Sequence, residues 1–293
     1  MKNSFWLLIF SVILIGCKKN AHEVAENKTT DTVAVAPTFQ SGYSEVNGIK
    51  MYYEIYGEGT PLVLIHGGGS TIQTSFGRIV PLFAKNRKVI GVELQAHGRT
   101  SDRATPISFE QDADDVAVLL KNLNIEKADV LGFSNGANTT MQLAIRHPEK
   151  VNKIIVASGF YKRDGMFPGF WDFMKKGTIA DMPATLKQEF FKVTPDSAKL
   201  QNLFEKCSKR MLEFQDWDDE LLRSIKAPTL IVTGDKDVAT PEHSVEMYRL
   251  IPNSQLMVIP GGHGKFMGEI EFTNTERNVE SFVLLIEEFL EGG

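Results

Sequence analysis

A chain of 293 residues that is 42% hydrophobic and 24% charged can bury a substantial core, as one large domain or two ordinary ones. Its composition is globular, which excludes collagen-like, disordered and repeat-array architectures, and a mildly acidic balance (37 Asp+Glu against 32 Lys+Arg) gives nucleic acid no electrostatic footing. Two cysteines, Cys17 and Cys207, are too few for a disulfide scaffold or a cysteine-based zinc site, and no ligand cluster points to another metal or to a cofactor.

Lys2 precedes a nearly pure apolar run of 12 residues, Phe5 to Gly16. As a helix that run rises about 18 Å, too little for a bilayer core of about 30 Å. A cationic start, a short apolar stretch and a small residue at its end read as a secretory signal peptide over residues 1–16. The closing Leu14-Ile15-Gly16-Cys17 resembles the lipobox of bacterial lipoproteins. The resemblance implies cleavage before Cys17, acylation of Cys17, and a lipid-anchored place in the bacterial cell envelope, in the periplasm or on the outer membrane. Residues 17–40, rich in Lys, Asn, Thr and Glu and without a sustained period, read as a flexible tether; one domain over 41–293 follows.

Residues 43–46 and 50–56 alternate as a hairpin around Asn47-Gly48, a type I′ turn pair. Continuous apolar runs then predict strands buried on both faces at 61–65, 88–93, 128–133, 153–157, 229–233 and 255–259. Helical patterns lie between them at 76–85, 108–123, 136–146, 240–250 and 275–290. This alternation predicts an α/β fold, a mainly parallel central sheet with helices on both faces. Residues 160–222 break the rhythm and read as a mostly helical insertion, with Met166, Phe167, Phe170, Trp171, Phe173 and Met174 crowded near its start. That cluster serves either as core of the insertion or as the wall of a pocket.

The chemistry sits at predicted strand ends. Gly132-Phe133-Ser134-Asn135-Gly136 joins a strand to a helix as Gly-x-Ser-x-Gly, a turn so tight that only glycine leaves room for neighbouring backbone. The helix N-terminus beneath Ser134 favours developing negative charge.

On these residues the chain resembles the α/β-hydrolase superfamily over roughly 43–290. His66-Gly67-Gly68-Gly69 follows a buried strand as that family's oxyanion loop does. Glu93 to Thr100 looks like the family's Asp-x-x-Gly-x-Gly-x-Ser loop, departing at Glu93, Ala96 and His97. The resemblance implies a catalytic triad of Ser134, Asp237 and His263, in the family's chain order, and an oxyanion hole from the backbone N–H groups of Gly68 and Asn135. It also implies a lid over the active site at 160–222. Asp235 competes with Asp237, the Gly-x-x-Asp pattern favouring the latter. The other histidines have duller readings: His66 and His97 as hydrogen-bonding residues of the sheet rim, His147 as a helix end, His243 on an exposed helix, and Cys207 as a half-buried structural thiol. A serine at the nucleophile position argues against the aspartate-using branches of the family. The expected activity is hydrolysis of small or medium carboxylic esters through an acyl-enzyme, without a cofactor. Carbon–carbon bond hydrolysis, lactonase, perhydrolase or aminopeptidase activity, or a binding protein on the same fold, are the alternatives.

Overall fold

Strands whose apolar residues run without a break need cover on both faces, and β3 (Thr60–Ile65) has it: Leu62 and Leu64 pack into one core, Val63 and Ile65 into the other. The computed structural model describes residues 39–292. The expected signal peptide, Cys17 and all but the last two residues of the expected tether lie outside the described residues. Those last two belong to β1 (Phe39–Val46), which pairs along its whole length with β2 (Ile49–Tyr56), starting at Phe39 opposite Tyr56. The turn between them has φ 41° at Asn47 and 86° at Gly48, as a type I′ hairpin requires.

With β4 (Arg87–Val92), β5 (Ala128–Phe133), β6 (Val151–Ala157), β7 (Thr229–Lys236) and β8 (Ser254–Gly262), the sheet has the order β1-β2-β4-β3-β5-β6-β7-β8. From β4 to β8 all neighbours are parallel; β1 and β2 are antiparallel additions at one edge. This is the α/β-hydrolase fold.

The helical stretch expected at 76–85 is divided into α1 (Ile72–Phe76) and α2 (Val80–Phe83). Gly77 caps the first, and Pro81, having no N–H, cannot continue a helix begun before it. Both pack with α10 (Glu276–Glu291) against one face of the sheet, through Phe76, Phe83, Phe282 and Ile286. On the other face lie α3 (Phe109–Asn122), α4 (Asn135–Arg146) and α9 (Pro241–Leu250), through Val116, Leu120, Met141 and Met247.

Between β6 and β7 the chain forms α5 (Phe170–Lys176), α6 (Ala184–Val193), α7 (Ser197–Leu212) and α8 (Asp219–Arg223), with no strand. An isolated bridge between Met166 and Ala239 ties the start of this insertion to the loop after β7. Helix α7 seats it on the segment that follows β4. Arg210 makes a buried ion pair with Asp112 at 2.7 Å, and Lys206 Nζ reaches Asp102 Oδ1 at 2.7 Å and the Arg103 carbonyl at 2.6 Å. Among the described residues no helix is long and apolar enough to cross a membrane.

Candidate functional site

β3 lies between β4 and β5, so the chain leaves it to one side and returns on the other, and a crevice opens where strand order reverses. Ile65 is in register with Gly132, which brings the loop 66–69 beside Ser134 although they are far apart in sequence.

Ser134 sits in that crevice in a backbone conformation, φ 54° and ψ −122°, that non-glycine residues rarely adopt. Such strain costs about 1–3 kcal/mol and persists only where the surroundings over-determine it. Here they do. Ser134 N donates to the Ala157 carbonyl at 2.8 Å, carrying the β5–β6 ladder into the turn. A Cβ on Gly132 would lie 2.1 Å from the Gly136 carbonyl oxygen, and one on Gly136 would lie 2.0 Å from that of Ile65. Both glycines of the motif are therefore dictated by backbone crossing backbone.

His263 follows β8 and reaches both neighbours. Its Nδ1 is 2.6 Å from Asp237 Oδ1 and its Nε2 is 3.0 Å from Ser134 Oγ. A carboxylate only accepts, so Nδ1 carries the proton and Nε2 is free to accept the serine hydroxyl's. Asp237 is buried, which by itself favours the protonated acid. The charge and hydrogen bond of His263, the Ser158 hydroxyl at 2.6 Å and the Gly234 N–H at 3.0 Å outweigh that and hold the carboxyl below the usual range. Asp235, the competing acid, is exposed and accepts from Gly261 N at 2.6 Å, pinning β8 to β7 away from the histidine.

Two backbone donors face this row. In the loop 66–69, Gly67 N donates to Ser75 Oγ at 3.3 Å and Gly69 N to His97 Nε2 at 3.1 Å. That leaves the N–H of Gly68 without a partner among the described residues, as is that of Asn135 at the first position of α4. A Cβ on Gly68 would meet the Asn135 side-chain amide at 2.1 Å, so the two residues are close neighbours.

The remaining histidines divide as follows. His66 is fully buried, and burial lowers its pKa to about 4; it is 2.8 Å from the Gly67 carbonyl and accepts from Leu94 N at 3.1 Å, which joins β3 to β4 at the rim. His97 is buried and neutral for the same reason. His147 caps the end of α4. His243 corrects the sequence reading: it is 3% exposed, its ring stacked on Tyr161 and its Nε2 accepting from Tyr161 N at 3.1 Å. The insertion's first residues cover that face of α9, a partner no local window reveals. Glu93 is buried and held by the Arg99 N–H and guanidinium, each at 2.6 Å, and Ala96 takes a left-handed φ of 65° where the family pattern has glycine. Both departures are structural.

Of the crowded aromatic segment, Met166, Phe170 and Trp171 belong to the core: Phe170 is 8% exposed, and the Trp171 indole donates to the Arg163 carbonyl under the Arg163 guanidinium. Phe167 and Phe173 face outward. Another residue of the insertion, Met182, does approach the loop 66–69: its Cε lies 3.5 Å from where a Cβ on Gly69 would sit. A cavity of about 220 Å³ between the insertion and the 96–102 loop, lined by Arg99, Phe190, Thr194 and Lys199 among others, contains none of the Ser134–His263–Asp237 row.

Ser158 is a site residue that sequence reasoning missed. It is 2% exposed, has a φ of 57°, and donates to the face of Asp237 opposite His263. Its only signal is its place one residue beyond a strand end.

A model of the alpha/beta hydrolase fold matches residues 60–218. The chain is 28% identical to the AB hydrolase superfamily protein YisY of Bacillus subtilis, over 78% of this chain and 93% of that one. It is 29% identical to the human serine hydrolase BPHL over 74% and 77%. It is 25% identical to the 2-hydroxy-6-oxo-6-(2'-aminophenyl)hexa-2,4-dienoic acid hydrolase of Metapseudomonas resinovorans over 75% and 84%. Among solved structures, a serine hydrolase involved in carbazole degradation superposes with a TM-score of 0.71 at 21% identity, covering 87% of this chain and 99% of that one. At that identity the likeness is one of fold.

Proposed function

The chain belongs to the alpha/beta hydrolase fold family, and from that premise we propose that it is a serine hydrolase cleaving small or medium carboxylic esters through an acyl-enzyme on Ser134. One observation carries the reading: Ser134, His263 and Asp237 form a hydrogen-bonded row beside two backbone N–H groups that have no partner among the described residues. As Ser134 Oγ attacks the ester carbonyl, His263 Nε2 takes its proton, and ionised Asp237 steadies the imidazolium so formed. The N–H groups of Gly68 and Asn135 receive the oxyanion, a contribution of about 3 kcal/mol per donor. Collapse expels the alcohol, which leaves with the proton from His263, and a water then repeats the sequence on the acyl-serine. The helical insertion serves as the lid, with Met182 over the oxyanion loop giving the acyl group an apolar contact.

A panel of p-nitrophenyl esters tests this. Short and medium apolar acyl groups should turn over and a charged acyl group should lag. Turnover of none of them above the rate of Ser134→Ala would overturn the ester reading, and turnover of lactones or of dienoic 1,5-diketones in their place would move it to another branch of the family.

We further propose that Cys17 becomes the lipid-modified N-terminus and holds the domain to a membrane of the cell envelope, several acyl chains anchoring far better than one. The support is the short apolar run ending in Leu14-Ile15-Gly16-Cys17. Cys17→Ala should lose metabolic labelling by palmitate; equal labelling of variant and parent would refute the anchor.

A further inference from the structure

His97 and Cys207 look like bystanders in sequence, and the fold puts both against the oxyanion loop. His97 Nδ1 lies 2.9 Å from the Gln95 carbonyl, which only accepts, so the ring's proton is there and Nε2 is a bare acceptor. That lone pair takes the Gly69 N–H at 3.1 Å, and Cys207 Sγ lies 3.5 Å from the same nitrogen. The ring has no exposed surface, packs at 4.7 Å from His66, and is kept neutral by burial.

The loop is otherwise lightly held. Gly69 is in the left-handed region at φ 71°, and its turn closes through a long 3.3 Å bond from Ser70 N to the Gly67 carbonyl. Gly67 O and Gly68 N–H are opposite ends of one peptide unit, and His66 Nδ1 holds the carbonyl end at 2.8 Å. The next unit, ending in Gly69 N–H, is held by His97. Two neutral imidazoles thus fix the peptide planes on either side of the Gly68 α-carbon, and the direction of the free Gly68 N–H depends on both.

Cys207 brings the insertion into this arrangement. It sits on α7 between the two residues that seat that helix, Lys206 on Asp102 and Arg210 on Asp112. One turn before α7 begins, Thr194 Oγ1 donates to the carbonyl of Gly98, the residue after His97, at 2.6 Å. Burial raises the thiol's pKa, so it remains protonated; its S–H shares the single Nε2 lone pair as a weak second donor, and the Gly69 N–H also reaches the sulfur. We propose that His97 is a positioning residue that aims the Gly68 N–H at the oxyanion, and that Cys207 couples this aim to the seating of the helical insertion. The proposal rests on the serine hydrolase reading, with catalysis strongest when α7 is docked.

The test uses the full chain, with kcat normalised to the fraction of protein that a fluorophosphonate titrates. His97→Leu removes the acceptor and should lower kcat about 30-fold with KM nearly unchanged, below the 10²–10³-fold of losing an oxyanion donor outright because this donor is misaimed, not removed. His97→Gln, whose side-chain oxygen can accept from Gly69 N, should recover most of the loss. Cys207→Ala should lower kcat about threefold in the parent and have no further effect in His97→Leu, the non-additivity of two residues acting on one bond. Hydrogen exchange of the Gly69 amide reports independently of turnover and should quicken in His97→Leu and not in His97→Gln. An unchanged kcat and unchanged exchange in His97→Leu, or full additivity with Cys207→Ala, would overturn the proposal. A parent that neither turns over esters nor is labelled at Ser134 would instead refute the hydrolase reading, while the exchange result would still decide whether His97 orders the loop.

Discussion

On the proposed function, Ser134→Ala should abolish ester turnover and covalent labelling by a fluorophosphonate, and His263→Ala should lower turnover about 10⁶-fold, nearly as far as both changes together. The single hydrogen bond between them, Nε2 to Oγ at 3.0 Å, is why the losses do not add. Without the base the hydroxyl keeps its proton, and without the hydroxyl the base has nothing to activate. Ser134→Ala also removes only one atom from a residue whose strained φ of 54° is set by backbone contacts, so the variant keeps its fold. Steady-state rates with a p-nitrophenyl ester, alongside a thermal melt of each variant, check this. Labelling of Ser134→Ala at the parent's rate would place the nucleophile elsewhere.

Asp237→Asn should lower kcat about 10⁴-fold, whereas Asp235→Asn should change it by no more than a few-fold. The direction follows from hydrogen-bond polarity. Asp237 accepts two bonds on each oxygen, from His263 Nδ1 and Val238 N on Oδ1 and from the Ser158 hydroxyl and Gly234 N on Oδ2, so the NH₂ group of an asparagine opposes a backbone N–H in either orientation. With the NH₂ toward His263 Nδ1 the ring's proton is forced onto Nε2, the nitrogen that has to accept from Ser134, and in either orientation the charge that steadies the imidazolium is lost. At Asp235 the single acceptor role toward Gly261 N survives in asparagine. Measured kcat values for the two variants decide the matter, and the reverse ranking would show that Asp235 is the triad acid.

The fold was legible because its signals are local. An apolar run in a strand with both faces covered, an Asn-Gly pair between alternating strands and a 3.6-residue period each fit in a short window, and β3, the first hairpin and α3 lie where those windows put them. Ser134 was legible for the same reason, since Gly132 and Gly136 flank it within two residues. Departures arose where a distant segment decides. His243 is buried by the insertion's first residues, 82 positions before it. Trp171 is drawn to the core by Phe160 and Arg163, with Phe170 packed on its ring, while Met182 approaches the oxyanion loop.

By itself, then, the order of residues determined the strand and helix sequence, the tight turn that carries Ser134, and the residue types a triad needs at strand ends. Only the tertiary structure decided which carboxylate His263 meets, that Ser158 braces it, and that His97 and Cys207 bear on the oxyanion loop. The bonds that settle these points join residues 26 apart for His263 and Asp237, 79 for Ser158 and Asp237, 28 for Gly69 and His97, and 110 for His97 and Cys207. A side chain's local pattern records the backbone it sits on, whereas the lone pair or proton it must satisfy is supplied by whichever strand end the packed sheet sets beside it.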